Sequence, residues 1–149
     1  MKKIICSILL ILVMIIMIGI ISETSIINKE KKYIEKGYYD MTEYSKGEFQ
    51  DYTDYNKYYY KAKYDKKFEE NKYYTKVTKD NIEELTNCII KFSTWMESEQ
   101  DIYDFDMNQI TEGDFFHQTK DKNTKEYDYI NIYYYDIETH TLYYFYSNL

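Results

Sequence analysis

With 149 residues and a formal charge of −7, the chain has room for one modest core, and it carries 21 tyrosines but no proline and no arginine. Setting aside Lys2 and Lys3, 17 lysines face 26 acids. A net −9 without the bidentate guanidinium fork repels phosphate, which excludes nucleic acid and disfavours an anionic bilayer surface. Cys6 lies inside a hydrophobic run and Cys88 far outside it, so no disulfide framework is expected. The single alanine, Ala62, and the wealth of lysine, isoleucine, tyrosine and asparagine match an AT-biased coding sequence. The tyrosine excess therefore has a mutational explanation as well as a binding one.

The chain begins "MKKIICSILLILVMIIMIGIIS", with eighteen uncharged residues at positions 4–21. As a helix they span about 27 Å, close to the hydrocarbon thickness of a bilayer, and a helix is the form in which a lone segment satisfies its backbone in lipid. Residues 1–22 are thus predicted to be a transmembrane anchor. Isoleucines stand where a signal peptidase needs small residues, which favours an uncleaved anchor over a cleaved signal. Cys6 sits near the start of the run rather than its end, unlike a lipoprotein cysteine. Lys2 and Lys3 favour an inside N-terminus; Lys29, Lys31, Lys32 and Lys36 on the other flank argue the reverse. The short basic leader directly before the run tips the expectation to a single-pass cell-membrane protein with its domain outside the cytoplasm.

Residues 23–46 read as a juxtamembrane segment, helical or stalk-like. Tyr33, Ile34, Tyr38, Met41 and Tyr44 recur at spacings of three to four, with Gly37 interrupting and Gly47 ending the pattern. The folded domain is expected over residues 47–149. A short β-branched and aromatic run at 73–77 predicts a strand. Asp80 then offers an N-cap, with Glu83 three residues on to close a capping box. Ile82, Leu85, Ile89, Phe92 and Met96 form one apolar stripe over four turns, flanked by Cys88 and Trp95, so the core helix is placed at about 81–99.

Strands follow at about 114–119, 128–136 and 141–147, with the polar loop "KDKNTKE" between the first two. The predicted fold is α+β, a C-terminal antiparallel meander packed on that one helix. In "INIYYYDIETHTLYYFY", Asp136 opens a turn, and residues 137–140 form a four-residue loop whose last place, His140, is left-handed. This register pairs Tyr135 with Leu142, Tyr134 with Tyr143, Tyr133 with Tyr144 and Ile132 with Phe145. Alternation sends Ile130, Ile132, Tyr134, Tyr143 and Phe145 to the core helix. The opposite face carries Asn131, Tyr133, Tyr135, Leu142, Tyr144 and Tyr146. Its tyrosines admit two readings: cross-strand pairs that stabilise the sheet, or an aromatic platform for a glycan or peptide. Tyr133, Tyr135, Tyr144 and Tyr146 are the candidate partner-binding residues.

Other chemistry is poorly supported by the residues present. Asp104, Asp106, Asn108, Glu112 and Asp114 suggest a calcium loop, but Gln109 and Phe115 occupy the places that need glycine and glutamate. His117, His140 and one helical cysteine make no zinc spacing. Cys88 beside an apolar stripe reads as a small buried side chain rather than a nucleophile. We expect no enzyme, no metal and no cofactor.

The stretches "FQDYTDYNKYYY", "YDFD" with "GDFF", and "YYYDIETHTLYY" resemble a family of small uncharacterised proteins of low-GC Gram-positive bacteria. The resemblance covers about residues 47–149 and implies a single folded domain; it brings no activity, ligand or catalytic residue. The expected function is therefore a membrane-anchored domain that binds a protein or glycan partner. The alternative, suggested by small size, acidity and an anchor, is a membrane-bound immunity protein against a toxin.

Overall fold

The computed structural model describes residues 32–48, 51–99, 101–119 and 129–148. The hydrophobic run at 4–21 and the loop at 120–126 lie outside the described residues. Among the described ones, no helix is long and apolar enough to cross a membrane.

Six antiparallel strands form one sheet in the order β1-β2-β6-β5-β4-β3. They are β1 (Asp40–Glu48), β2 (Asp51–Tyr59), β3 (Thr75–Lys76), β4 (Phe115–Gln118), β5 (Tyr129–Asp136) and β6 (Thr141–Asn148). Two α-helices accompany them, α1 (Asp65–Glu70) and α2 (Ile82–Trp95). The chain makes the β1–β2 hairpin, crosses to the far edge, and returns as a β3-β4-β5-β6 meander whose last strand pairs with β2. The fold is α+β, with the expected C-terminal meander. All of this belongs to the compact unit Glu35–Leu149.

The β5–β6 hairpin has the register that its turn chemistry dictates. Asp136 pairs with Thr141, Tyr135 with Leu142, Tyr134 with Tyr143, Tyr133 with Tyr144 and Ile132 with Phe145. The Asp136 carboxylate accepts from Glu138 N (2.8 Å), Thr139 N (3.3 Å) and Thr139 Oγ1 (2.7 Å), which fixes the loop. His140 takes φ 53°, the left-handed conformation required at its fourth place.

The apolar stripe of α2 lies on the face that the hairpin register predicted. Leu85, Ile89, Phe92 and Met96 are buried and join Ile130, Ile132, Tyr134, Tyr143 and Phe145 in one core with Tyr55, Val77, Phe105 and Ile110. Phe92 meets Phe145 edge-on at 5.3 Å, and Phe105 meets Tyr134, Tyr143 and Phe145 in the same way. The capping box does not form. Ile82 N already bonds Thr78 O at 3.0 Å, so the turn before the helix takes the donor a cap would serve. Asn81, not Asp80, stands at the N-cap, and its side chain reaches back to Thr78 N and Lys76 O. The helix proper stops at Trp95, followed by a single 3₁₀ turn at Glu97–Glu99.

Two elements differ from expectation. The segment read as helix or stalk contributes β1, so the strand-forming region begins at Asp40 rather than after Gly47. The helical spacing of Met41 and Tyr44 was misleading, because in β1 Tyr44 turns toward the core while Met41 is exposed. An edge strand has one neighbour and lacks the strong alternation that marks a half-buried strand. Gly37 has φ 113°, and a Cβ there would collide with the Tyr64 ring, so it makes a tight turn packed on that tyrosine rather than a helix break. The other element is α1, whose single buried side chain, Phe68, leaves no periodicity to detect in "DKKFEE".

Candidate functional site

The four ladder tyrosines share the face opposite α2, as alternation requires; Tyr133, Tyr144 and Tyr146 run on as one stack, and Tyr135 has neighbours of its own. Tyr133 and Tyr144 stack on each other, with ring centroids 4.4 Å apart and planes within 24°, and both are buried. Tyr135 is seated beneath α1: Phe68 stacks on it at 3.7 Å, and Tyr60 meets it edge-on. Its hydroxyl donates to Asp65 Oδ1 at 2.6 Å. Burial, and then the carboxylate at its oxygen, push that phenol far above its ordinary pKa, so it keeps its proton and cannot act as a base. Tyr146, half-buried, lies toward the other end of the sheet, in edge contacts with Tyr52 (6.2 Å) and Tyr129 (5.9 Å).

That row extends the ladder onto residues the sequence did not single out. Tyr52 comes from β2, whose pairing with β6 sets Asp54 opposite Tyr146. Such a pairing spans more than half the chain, and no local pattern announces it. Tyr52 is 46% exposed and accepts a bond from Ser45 Oγ at 2.5 Å. Asn131 Nδ2 donates to Tyr129 OH at 3.0 Å. Exposed Tyr38 and Tyr39 lie just before β1 and exposed Met41 near its start, at the opposite end of the β1–β2 hairpin from Tyr52.

The same hairpin carries a carboxylate pair. Ser45 pairs with Asp54 across the two strands, and Glu43, two residues before Ser45, shares their face. Burial raises the Asp54 pKa; the neighbouring Ser45 side chain opposes that, and the charge of Glu43 raises it further.

Two further acids serve buried hydroxyls. Tyr55 OH donates to Asp104 Oδ1 (2.8 Å), and Lys57 Nζ reaches Asp104 Oδ2 (2.6 Å). Partial burial alone would raise the Asp104 carboxyl, but the bonds from Lys57 and Tyr55 hold it below its ordinary range. Asp114, almost fully buried, accepts from Tyr134 OH (2.6 Å), Thr111 N (2.9 Å), Thr111 Oγ1 (3.0 Å) and Ile137 N (3.1 Å). Asp106 accepts from the Asn108 backbone at the 3₁₀ turn Met107–Gln109. Of the acids weighed as a calcium loop, Asp104, Asp106 and Asp114 are each engaged at a different structural task. Among the described residues, no group of three or more His, Cys, Asp or Glu could hold a metal ion.

His140 Nδ1 lies 3.0 Å from Asp65 Oδ1, the oxygen that also accepts from Tyr135. The trio ties the hairpin loop to α1 and includes no serine, cysteine or lysine nucleophile. His117 bonds Tyr73 O and Thr119 Oγ1 from a different strand. Cys88 Sγ lies 3.5 Å from Gln118 Nε2 and packs against the core. No family model, curated protein or solved structure matches the chain.

Proposed function

We propose that the chain is a single-pass membrane protein, anchored in the bilayer through residues 4–21, whose tyrosine-rich domain stands outside the cytoplasm and binds a protein or glycan partner. One observation carries the binding reading: the β1–β2 hairpin and the two residues before it leave Tyr38, Tyr39, Met41 and Tyr52 exposed, at 39%, 65%, 41% and 46%. Accessible aromatic side chains are common anchors of recognition surfaces. A binding role rather than catalysis is supported by the engagement of the buried carboxylates and tyrosines with one another. The anchor and orientation rest on the apolar run and its short basic leader.

Two measurements test this. Alkaline phosphatase fused after Leu149 should be active in cells, and an inactive but stable fusion would reverse the orientation. Photo-crosslinking from an amino acid placed at Tyr39 or Tyr52 should give a discrete adduct, whereas the same group at Glu83 or Asn87, exposed on α2, should give none. Equal or absent adducts at all four positions would remove the binding surface from this hairpin.

A further inference from the structure

Strand β1 is one margin of the sheet, nine residues long, whereas the opposite margin, β3, has two. Tyr44 donates its N–H to Asn56 Oδ1 on β2 at 3.1 Å, so its backbone faces into the sheet. In an antiparallel ladder the backbone polarity alternates, and the N–H and C=O groups of Met41, Glu43 and Ser45 therefore face outward. Met41 N–H is occupied locally by Asp40 Oδ1 at 2.9 Å. The outward groups of Glu43 and Ser45 have no partner among the described residues, and the side chains of residues 40–43 and Ser45 are exposed.

An open edge of this kind is a template for another strand, and its side chains decide which strands are admitted. Asp40 and Glu43 lie along the edge, with Asp54 one strand in, on the same face as Glu43. The one lysine of the strand, Lys46, is paired with Glu99 at 2.5 Å. A second copy of this chain would bring the same acids, in a domain of net −9, against themselves. A cationic strand meets the opposite field, and a lysine or arginine side chain between Glu43 and Asp54 would relieve a like-charge contact that already exists. Tyr52, exposed beside Asp54, offers a ring face for the same cation.

We propose that the outer side of β1, residues 40–45, docks an extended basic segment of a partner protein, which adds as a seventh strand and sets lysine or arginine side chains against Glu43 and Asp54. This rests on the reading of the domain as a binding module and names the partner's chemistry.

The probe is a capped nine-residue peptide alternating lysine with threonine, added to the full chain in zwitterionic micelles, with hydrogen exchange followed along β1. The peptide should slow exchange of the Glu43 and Ser45 amides about tenfold or more, with an affinity that weakens as salt is raised. Glu43→Lys, at an exposed position, should weaken binding about tenfold without changing the melting temperature. Ser45→Pro, which removes an outward donor, should abolish the protection. The same peptide with glutamate for lysine should not bind. No slowed exchange at saturating peptide, equal binding of the glutamate peptide, or binding indifferent to Glu43→Lys would each overturn the proposal. So would a dimer formed through β1 in the absence of peptide. Discrete crosslinks from Tyr39 or Tyr52 alongside failure of the lysine peptide would retire the edge and leave the binding module. Loss of both would retire the module itself.

Discussion

On one face of the sheet, the fourteen-residue α2 lays Leu85, Ile89 and Phe92 over strand side chains; on the other, the six-residue α1 contributes only Phe68, and tyrosine packs on tyrosine. The first face is held by carbon in a close-packed core. The second gains large buried area from rings whose hydroxyls also need partners. On the first face Tyr55 donates to Asp104 and Tyr134 to Asp114, and on the second Tyr135 donates to Asp65. An unsatisfied buried hydroxyl costs about 1–3 kcal/mol, and carboxylates at the rim of this interior are one class of acceptor for it, beside backbone carbonyls such as Glu35 O for Tyr60.

The sharpest way to break this contrast is to truncate one ring on each face. Phe92→Ala should cost about 4 kcal/mol in equilibrium unfolding, because its site is enclosed by the helix and three aromatic rings and cannot collapse. Asp114→Ala should cost about 3 kcal/mol by stranding the backbone donors of Thr111 and Ile137, a loss that an apolar residue of the same size cannot recover, while the Tyr134 hydroxyl keeps Gln109 O as an acceptor. Phe68→Ala should cost less than Phe92→Ala, about 2–3 kcal/mol, with early exchange of the α1 amides, since a six-residue helix held by one ring can open locally. Equal losses from Phe92→Ala and Phe68→Ala, with no local opening, would erase the distinction between the faces.

A smaller effect is expected in acid. The Asp104 carboxyl is held below its ordinary range in the folded chain, so the stability it supplies is present above the unfolded carboxylate pKa of about 3.9 and is lost as pH falls through the lower folded value. Asp104→Asn should flatten that part of the stability profile by losing a little stability at neutral pH, about 1 kcal/mol or less because the side chain is largely exposed, and should converge with the parent chain in acid. An unaltered acid limb in this variant would show that the Lys57–Asp104–Tyr55 cluster contributes nothing below pH 4.

What the sequence disclosed follows how local each cause is. The β5–β6 hairpin was legible down to the residue because its turn, its left-handed His140 and its period of two lie within one contiguous stretch. Helix α2 was legible from its stripe, although its cap was not, since Thr78 and Asn81 settle the helix start by a preceding turn. Strand β1 was hidden by Met41 and Tyr44 at a helical spacing, and by an edge that imposes no clean alternation. The candidate tyrosines were placed on the right face, but their division was invisible. Tyr135 is set apart by Phe68, 67 residues earlier, and Tyr146 is joined to Tyr52 through the long-range β2–β6 pairing. The carboxylate partners of Tyr55 and Tyr134 likewise come from loops, and that of Tyr135 from the first residue of α1.

The inner rungs of the tyrosine ladder hold the sheet together, and the recognition surface we propose lies elsewhere, on the β1–β2 hairpin. Replacing Tyr133 and Tyr144 together by threonine keeps β-propensity and deletes the stacked pair. Equilibrium unfolding of this double variant should show a loss of about 1 kcal/mol or more, beyond what two exposed tyrosines would give, with crosslinking from Tyr39 and Tyr52 retained in the fraction that folds. Stability unchanged within about 0.5 kcal/mol together with loss of the crosslinked adduct would contradict this assignment, and would make the buried ladder, not the hairpin, the recognition surface.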